Sequence, residues 1–174
     1  MTLSSRRSIE QVSGEVTIRA ARPEDADTCG QIAVAAWRGV FESWREILGD
    51  ALWERNYGDW ELRKRASVVC QLHDHTRMAI VSESDGEIVG FLTWRLHRDR
   101  GVGEISNNAV DPAHQGRGIG TAQVEWALEH FRSEGMGAAR VLTGGDDGHA
   151  PARAMYGKAG FECGLPSVEY FLEL

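Results

Sequence analysis

The stretch AVDPAHQGRGIGTAQVEW, residues 109–126, sets Gly116, Gly118 and Gly120 where a strand-like run gives way to a helix-like one. Glycine within a helix is about 1 kcal/mol less favourable than alanine, so three so close together need an offsetting gain. A helix amino terminus carries unpaired N–H groups and a partial positive charge, and it attracts phosphate when no side chain blocks the approach. The strand ending at Val110, the turn DPAH and the run QGRGIGT therefore predict such a terminus, with its amides open to a ligand. Two familiar phosphate motifs fail here. GxGxxG would need glycine at position 121 or 123, where Thr121 and Gln123 stand, and GxxxxGK followed by Ser or Thr has no match. The loop also lies two-thirds along the chain, whereas the nicotinamide fingerprint follows the first strand of its unit.

Periodicity assigns the flanking elements. EVTIRA (15–20) alternates as a strand, and RPEDAD opens a helix. From there to about Leu72 the chain reads as helical, with Trp37, Phe41 and Trp44 at i, i+4, i+7 and Trp53, Tyr57 and Trp60 repeating that spacing. These two aromatic stripes are either core-facing sides of amphipathic helices or, in part, the lining of an acceptor pocket. MAIVSE (78–83) and EIVGFLTWRL (87–96) flank Asp85 and Gly86, a strong hairpin signal. GVGEISNNAV (101–110) is the next strand, 117–134 an amphipathic helix closed by Gly135, and ARVLT (139–143) a short strand. PARAMYGKAGF then reads as a short helix capped by Gly160, with Phe161 placed for the sealing contact. FECGL and SVEYFLEL read as two last strands turning at Pro166. This order predicts an α/β chain with a mixed sheet and helices on both faces. Residues 1–14 read as a polar arm, and 15–174 as a single domain.

The 174 residues carry 26 acidic and 19 basic side chains, a net charge of −7. That balance argues against a nucleic-acid backbone or an anionic membrane as partner and favours a cationic substrate. Cys29, Cys70 and Cys163 are odd in number and widely spaced, as expected of reduced thiols in a cytoplasmic protein. His73, Asp74 and His75 lack the further ligands a metal needs, so no metal is expected.

Gln115, Gly118 and Gly120 match the Q/RxxGxG/A signature of the GNAT superfamily of acyl-CoA-dependent N-acetyltransferases. Some thirty residues on, Ala152, Tyr156, Lys158, Gly160 and Phe161 reproduce the AxxxYxKxGF pattern of that family's last helix and strand. The chain thus resembles this superfamily over about residues 87–174, while the first half agrees in element order. The resemblance implies a largely antiparallel sheet with a parallel, splayed pair of middle strands, acetyl-CoA as cosubstrate, and pairing as a homodimer. It implies that pyrophosphate and pantetheine lie across Gln115, Gly116, Arg117, Gly118, Ile119, Gly120 and Thr121, with Ala109 and Val110 pairing to the pantetheine arm. Arg117 either adds charge to a phosphate or is a solvated surface arginine. Ala152, Lys158 and His149 complete the cofactor side; His149 stands where the family usually has asparagine.

The chemistry needs a neutral amine, a polarised carbonyl and a proton for the departing thiolate. An alkylamine titrates near 10.4, so a base is required near the acceptor. GEISNNAV is unusually polar for a central strand, and on period two Glu104, Ser106 and Asn108 share a face. In the resembling family a glutamate eleven residues before the Q/R position often serves as base, which designates Glu104; otherwise it is a solvated glutamate at a strand start. Tyr156 is the expected acid, and an amide near Ala109 or Val110, at a bulge, the oxyanion donor. The expected activity is transfer of acetyl from acetyl-CoA to a primary amine of a small molecule or peptide, by direct attack. The competing reading is a catalytically silent acyl-CoA sensor.

Overall fold

The structure, a computed structural model, describes residues 16–74, 78–162 and 164–173. The polar arm, His75 and Cys163 lie outside the described residues. Strands β1 (Val16–Ala20), β2 (Met78–Ser84), β3 (Glu87–His97), β4 (Val102–Val110) and β5 (Ala138–Val141) form one sheet in that order. The first four are antiparallel, and β4 pairs with β5 in parallel. The β2–β3 hairpin turns as the Asp-Gly pair requires, with positive φ at both Asp85 (52°) and Gly86 (82°).

Helices cover both faces. On one side α1 (Ala26–Tyr57, broken at Gly49) and α2 (Trp60–His73) set Cys29, Ile32, Ala33 and Val68 against Val81, Phe91 and Ala109. On the other, α3 (Ile119–Ser133) and α4 (Ala150–Lys158) set Val124, Ala127, Phe131 and Tyr156 against Ile80, Leu92, Trp94 and Ile105. β3, buried from Val89 through Trp94, is clamped between the two layers. Both α3 and α4 end in Schellman caps. Met136 and Phe161 donate backbone hydrogen bonds to Phe131 and Tyr156 (2.9 and 3.0 Å), and Phe161 meets the Tyr156 ring edge-on at 5.7 Å.

Two expectations change. The last two strands are not formed: 161–162 and 164–173 carry no strand, and Leu165, Val168, Tyr170 and Leu172 are exposed. Alternation alone does not make a strand; it needs a neighbour against which one face is buried, and β5 pairs over just four residues. Trp37 packs toward the sheet, while the rest of the two aromatic stripes fuses into one inter-helix cluster, in which Phe41 stacks on Trp60 at 4.2 Å and Trp44 lies 5.4 Å from Tyr57.

Candidate active site

Pairing between β4 and β5 stops at Ile105 and Val141, while β4 runs on to Val110. The edge of residues 106–110 is thereby left without β5. Asp111 N–H donates to Val89 O at 2.8 Å, so the antiparallel alternation turns the amides of Val110 and Asn108 toward that vacated edge and that of Ala109 toward β3.

The bulge expected near Ala109 lies at Ser106. Register passes from Thr93↔Asn107 to Trp94↔Ile105, leaving one extra residue on β4. The consequence is a change of face. Gly103, whose Cβ would collide with the Phe131 ring, and Ile105 point to the α3 side. After the bulge it is Asn108 that points there, while Asn107 and Ala109 face α1 and α2. Glu104 therefore shares a side with Asn107, and the expected common face of Glu104, Ser106 and Asn108 is corrected.

The glycine loop follows immediately. Asp111 accepts from the Ala113 amide (2.8 Å) and Gln115 Nε2 donates to Val110 O (3.0 Å), bracing the turn. Gly116 and Gly118 are left-handed, at φ 75° and 80°. Gly120 is different: a Cβ there would meet Met155 Sδ at 3.1 Å and Asn108 Oδ1 at 3.4 Å, so it is needed for close approach of α3 to β4. Gly118 is the N-cap of α3 and supplies no side-chain hydrogen bond, which leaves the first-turn amides uncapped. Ile119 is buried, Arg117 exposed and Thr121 half-buried. Behind the loop runs a buried amide chain that sequence reasoning missed. Asn108 Nδ2 donates to Gln123 Oε1 (2.7 Å), and Gln123 Nε2 donates to Ser82 Oγ (2.9 Å). A fully buried glutamine inside an amphipathic pattern is the one signal that could have found it.

Tyr156, 8% exposed, faces the core from α4, and burial pushes its phenol up to about 12, so it stays protonated. Among the described residues its hydroxyl has no hydrogen-bond partner. Ala152, on the same helix, packs against the core, and Lys158 is exposed at the helix end. His149 Nδ1 is 2.8 Å from Asp146 Oδ2, and its ring lies 5.9 Å from Trp44. Burial opposes the charge on Asp146, yet hydrogen bonds from His149 and Trp44 hold its carboxyl below the usual range.

On the α1/α2 side, Glu104 Oε2 lies 2.9 Å from both His97 Nε2 and Arg140 Nε. Further along that side Lys64 Nζ donates to Asn107 Oδ1 (3.0 Å) and sits 3.4 Å above the Trp37 ring. Asn107 Nδ2 also donates to Gln71 Oε1 at 2.8 Å. No three His, Cys, Asp or Glu side chains gather for a metal among the described residues. No described helix is long and apolar enough to cross a membrane.

Known proteins share this fold. The model of the acetyltransferase (GNAT) family matches residues 37–161. Mycothiol acetyltransferase of Rhodococcus jostii is 28% identical over 158 residues, covering 85% of this chain and 49% of the relative. That of Saccharomonospora viridis is 35% identical over 98 residues, covering 52% and 31%. The chain thus spans less than half the length of these relatives. Among solved structures, the PaiA N-acetyltransferase of Thermoplasma acidophilum in complex with coenzyme A superposes with a TM-score of 0.62 at 16% identity, covering 84% of this chain and 89% of that one. An aminoglycoside acetyltransferase from an uncultured soil metagenomic sample gives 0.59 at 22%, covering 91% and 99%. With the family model spanning well over half of its residues, the chain belongs to the acetyltransferase (GNAT) family.

Proposed function

We propose that this protein transfers acetyl from acetyl-CoA to a primary amine of a small molecule or peptide by direct attack within a ternary complex. The observation that carries the reading is the uncapped amino terminus of α3, entered through left-handed Gly116 and Gly118 beside the edge of β4 that β5 vacates. Amides of residues 116–121 hold the diphosphate, Arg117 adds charge from solvent, and the α4 residues Ala152 and Lys158 flank the nucleotide. The Val110 and Asn108 amides, which face the vacated edge, pair with the pantetheine arm and polarise the thioester oxygen.

Glu104 takes a proton from the amine on the α1/α2 side, directly or through water, with His97 and Arg140 fixing its orientation. Tyr156, protonated at neutral pH, donates to the departing thiolate. The amine enters from the α1/α2 side of the sheet. A net charge of −7 favours a cationic acceptor, and the relatives' name puts mycothiol-related amines beside polyamines, aminoglycosides and peptides in the panel to be tried. We place the reaction in the cytoplasm, in keeping with Cys29 and Cys70 as free thiols.

The decisive experiment combines calorimetry with acetyl-CoA and release of CoA thiol over that panel. Binding with turnover of at least one amine is expected. Replacing Gly118 by valine strains its left-handed backbone by about 1–2 kcal/mol and covers the amides, so affinity should fall about tenfold or more. Wild-type affinity in G118V would overturn the loop's role, and binding without turnover of any amine would favour the sensor.

A further inference from the structure

The chain carries its positive charge almost wholly as arginine: of 19 basic residues two are lysines, Lys64 and Lys158. Arginine stays protonated and is no nucleophile, so primary side-chain amines are confined to these two places. They differ sharply. Lys158 is exposed at the end of α4, whereas Lys64 is half-buried on α2 against β4. Lys64 Nζ is held by Asn107 Oδ1 at 3.0 Å and by the face of Trp37 at 3.4 Å, and among the described residues no carboxylate pairs with it. A cation withdrawn from water without a counter-charge is destabilised, and burial pulls this ammonium down to about 8, so a neutral fraction exists near neutral pH. Asn107 directly precedes Asn108, whose amide faces the vacated edge of β4.

We propose that Lys64 is an acetylation site of the enzyme itself: held on Asn107, its amine takes the acetyl group from acetyl-CoA and so closes the acceptor side of the cleft. This rests on the reading of the glycine loop as the acetyl-CoA site. The Lys64 Nζ lone pair forms the new bond to the thioester carbon, and the carbon–sulfur bond breaks. The sulfur leaves as thiolate and receives the proton that Nζ loses. Products are Nε-acetyl-Lys64 and free CoA, with no other reactant. The amide N–H can still donate to Asn107, but the charge over Trp37 is gone. An occupied acceptor competes for the same thioester, so the modification marks idle enzyme.

The test uses the full chain with acetyl-CoA and no acceptor. CoA release is followed, and acetylation is mapped by mass spectrometry after cleavage at acidic residues. One acetyl group per chain is expected on Lys64, at least about tenfold faster than on exposed Lys158, because the reacting groups are held together. Heat-unfolded protein should lose that preference, K64R should release no stoichiometric burst of CoA, and a turned-over amine should slow the labelling. Lys64 labelled no faster than Lys158, or equally fast in unfolded protein, would overturn the proposal. If acetyl-CoA binds and amines turn over while Lys64 stays unlabelled, this proposal fails and the acetyltransferase reading stands; if acetyl-CoA does not bind, the reading itself fails.

Discussion

The two faces of the sheet solve different problems. The α3/α4 face is tied down by Schellman caps, by the Phe131 ring over Gly103 and by the Asn108–Gln123–Ser82 chain. The α1/α2 face carries half-buried charge instead: Lys64 over Trp37, Glu104 between His97 and Arg140. Rigid placement suits a cosubstrate that is always the same molecule, and polar adaptability suits an acceptor. On the proposed function, the difference divides stability and specificity between opposite sides of one strand.

The largest test of that division is Phe131→Ala. It should cost about 3–5 kcal/mol in denaturant unfolding, since a fully buried ring is removed from a layer that cannot collapse onto Gly103. Trp37→Ala, on the other face and half-buried, should cost less while changing acceptor kinetics; equal losses would break the comparison. Next, Tyr156→Phe should lower kcat about a hundredfold with acetyl-CoA affinity little changed, as removal of a proton donor does, and an unchanged kcat would remove the tyrosine from the chemistry. Gln123→Leu strands the Asn108 amide and the Ser82 hydroxyl, so about 1–3 kcal/mol of stability should be lost, with a raised KM for acetyl-CoA as α3 loosens from β4.

The smallest effect is a pH dependence. Burial lowers the pKa of His130, with Glu134 opposing and Arg98 reinforcing, so the unfolded chain binds its proton more readily than the folded one. Stability should therefore fall as pH drops below about 6.5, and His130→Gln should flatten that limb of the thermal-unfolding midpoint between neutral pH and mild acid. An identical slope in the variant would assign the acid sensitivity elsewhere.

What was legible in the sequence is what a few neighbouring residues decide among themselves. Asp85-Gly86 dictates its turn, Gly116 and Gly118 their backbone, and Gly160 with Phe161 the seal of α4, because each depends on local φ or on one adjacent contact. The mixed sheet with helices on both faces followed from the order of such elements. The bulge at Ser106 was not legible, since register belongs to a pair of strands and nothing in SNN singles out the extra residue. Lys64 escaped for a similar reason: its partner Asn107 lies 43 residues away, and an isolated lysine in a helix looks solvated. The expected last strands failed in the opposite sense, with the local pattern present and the partner missing.

The extra residue in β4 sets a reading frame for the whole sheet. Were β4 to keep Ser106 and pair through it without interruption, the upstream half would rotate by one position: Ile105 would be turned out of the core and the Glu104 carboxylate driven into the layer under Phe131. Insertions in the loops can reshape what such a scaffold accepts, but the extra residue between carboxylate and glycine turn must stay out of the ladder, because drawing it in inverts the inside and outside of the upstream strand.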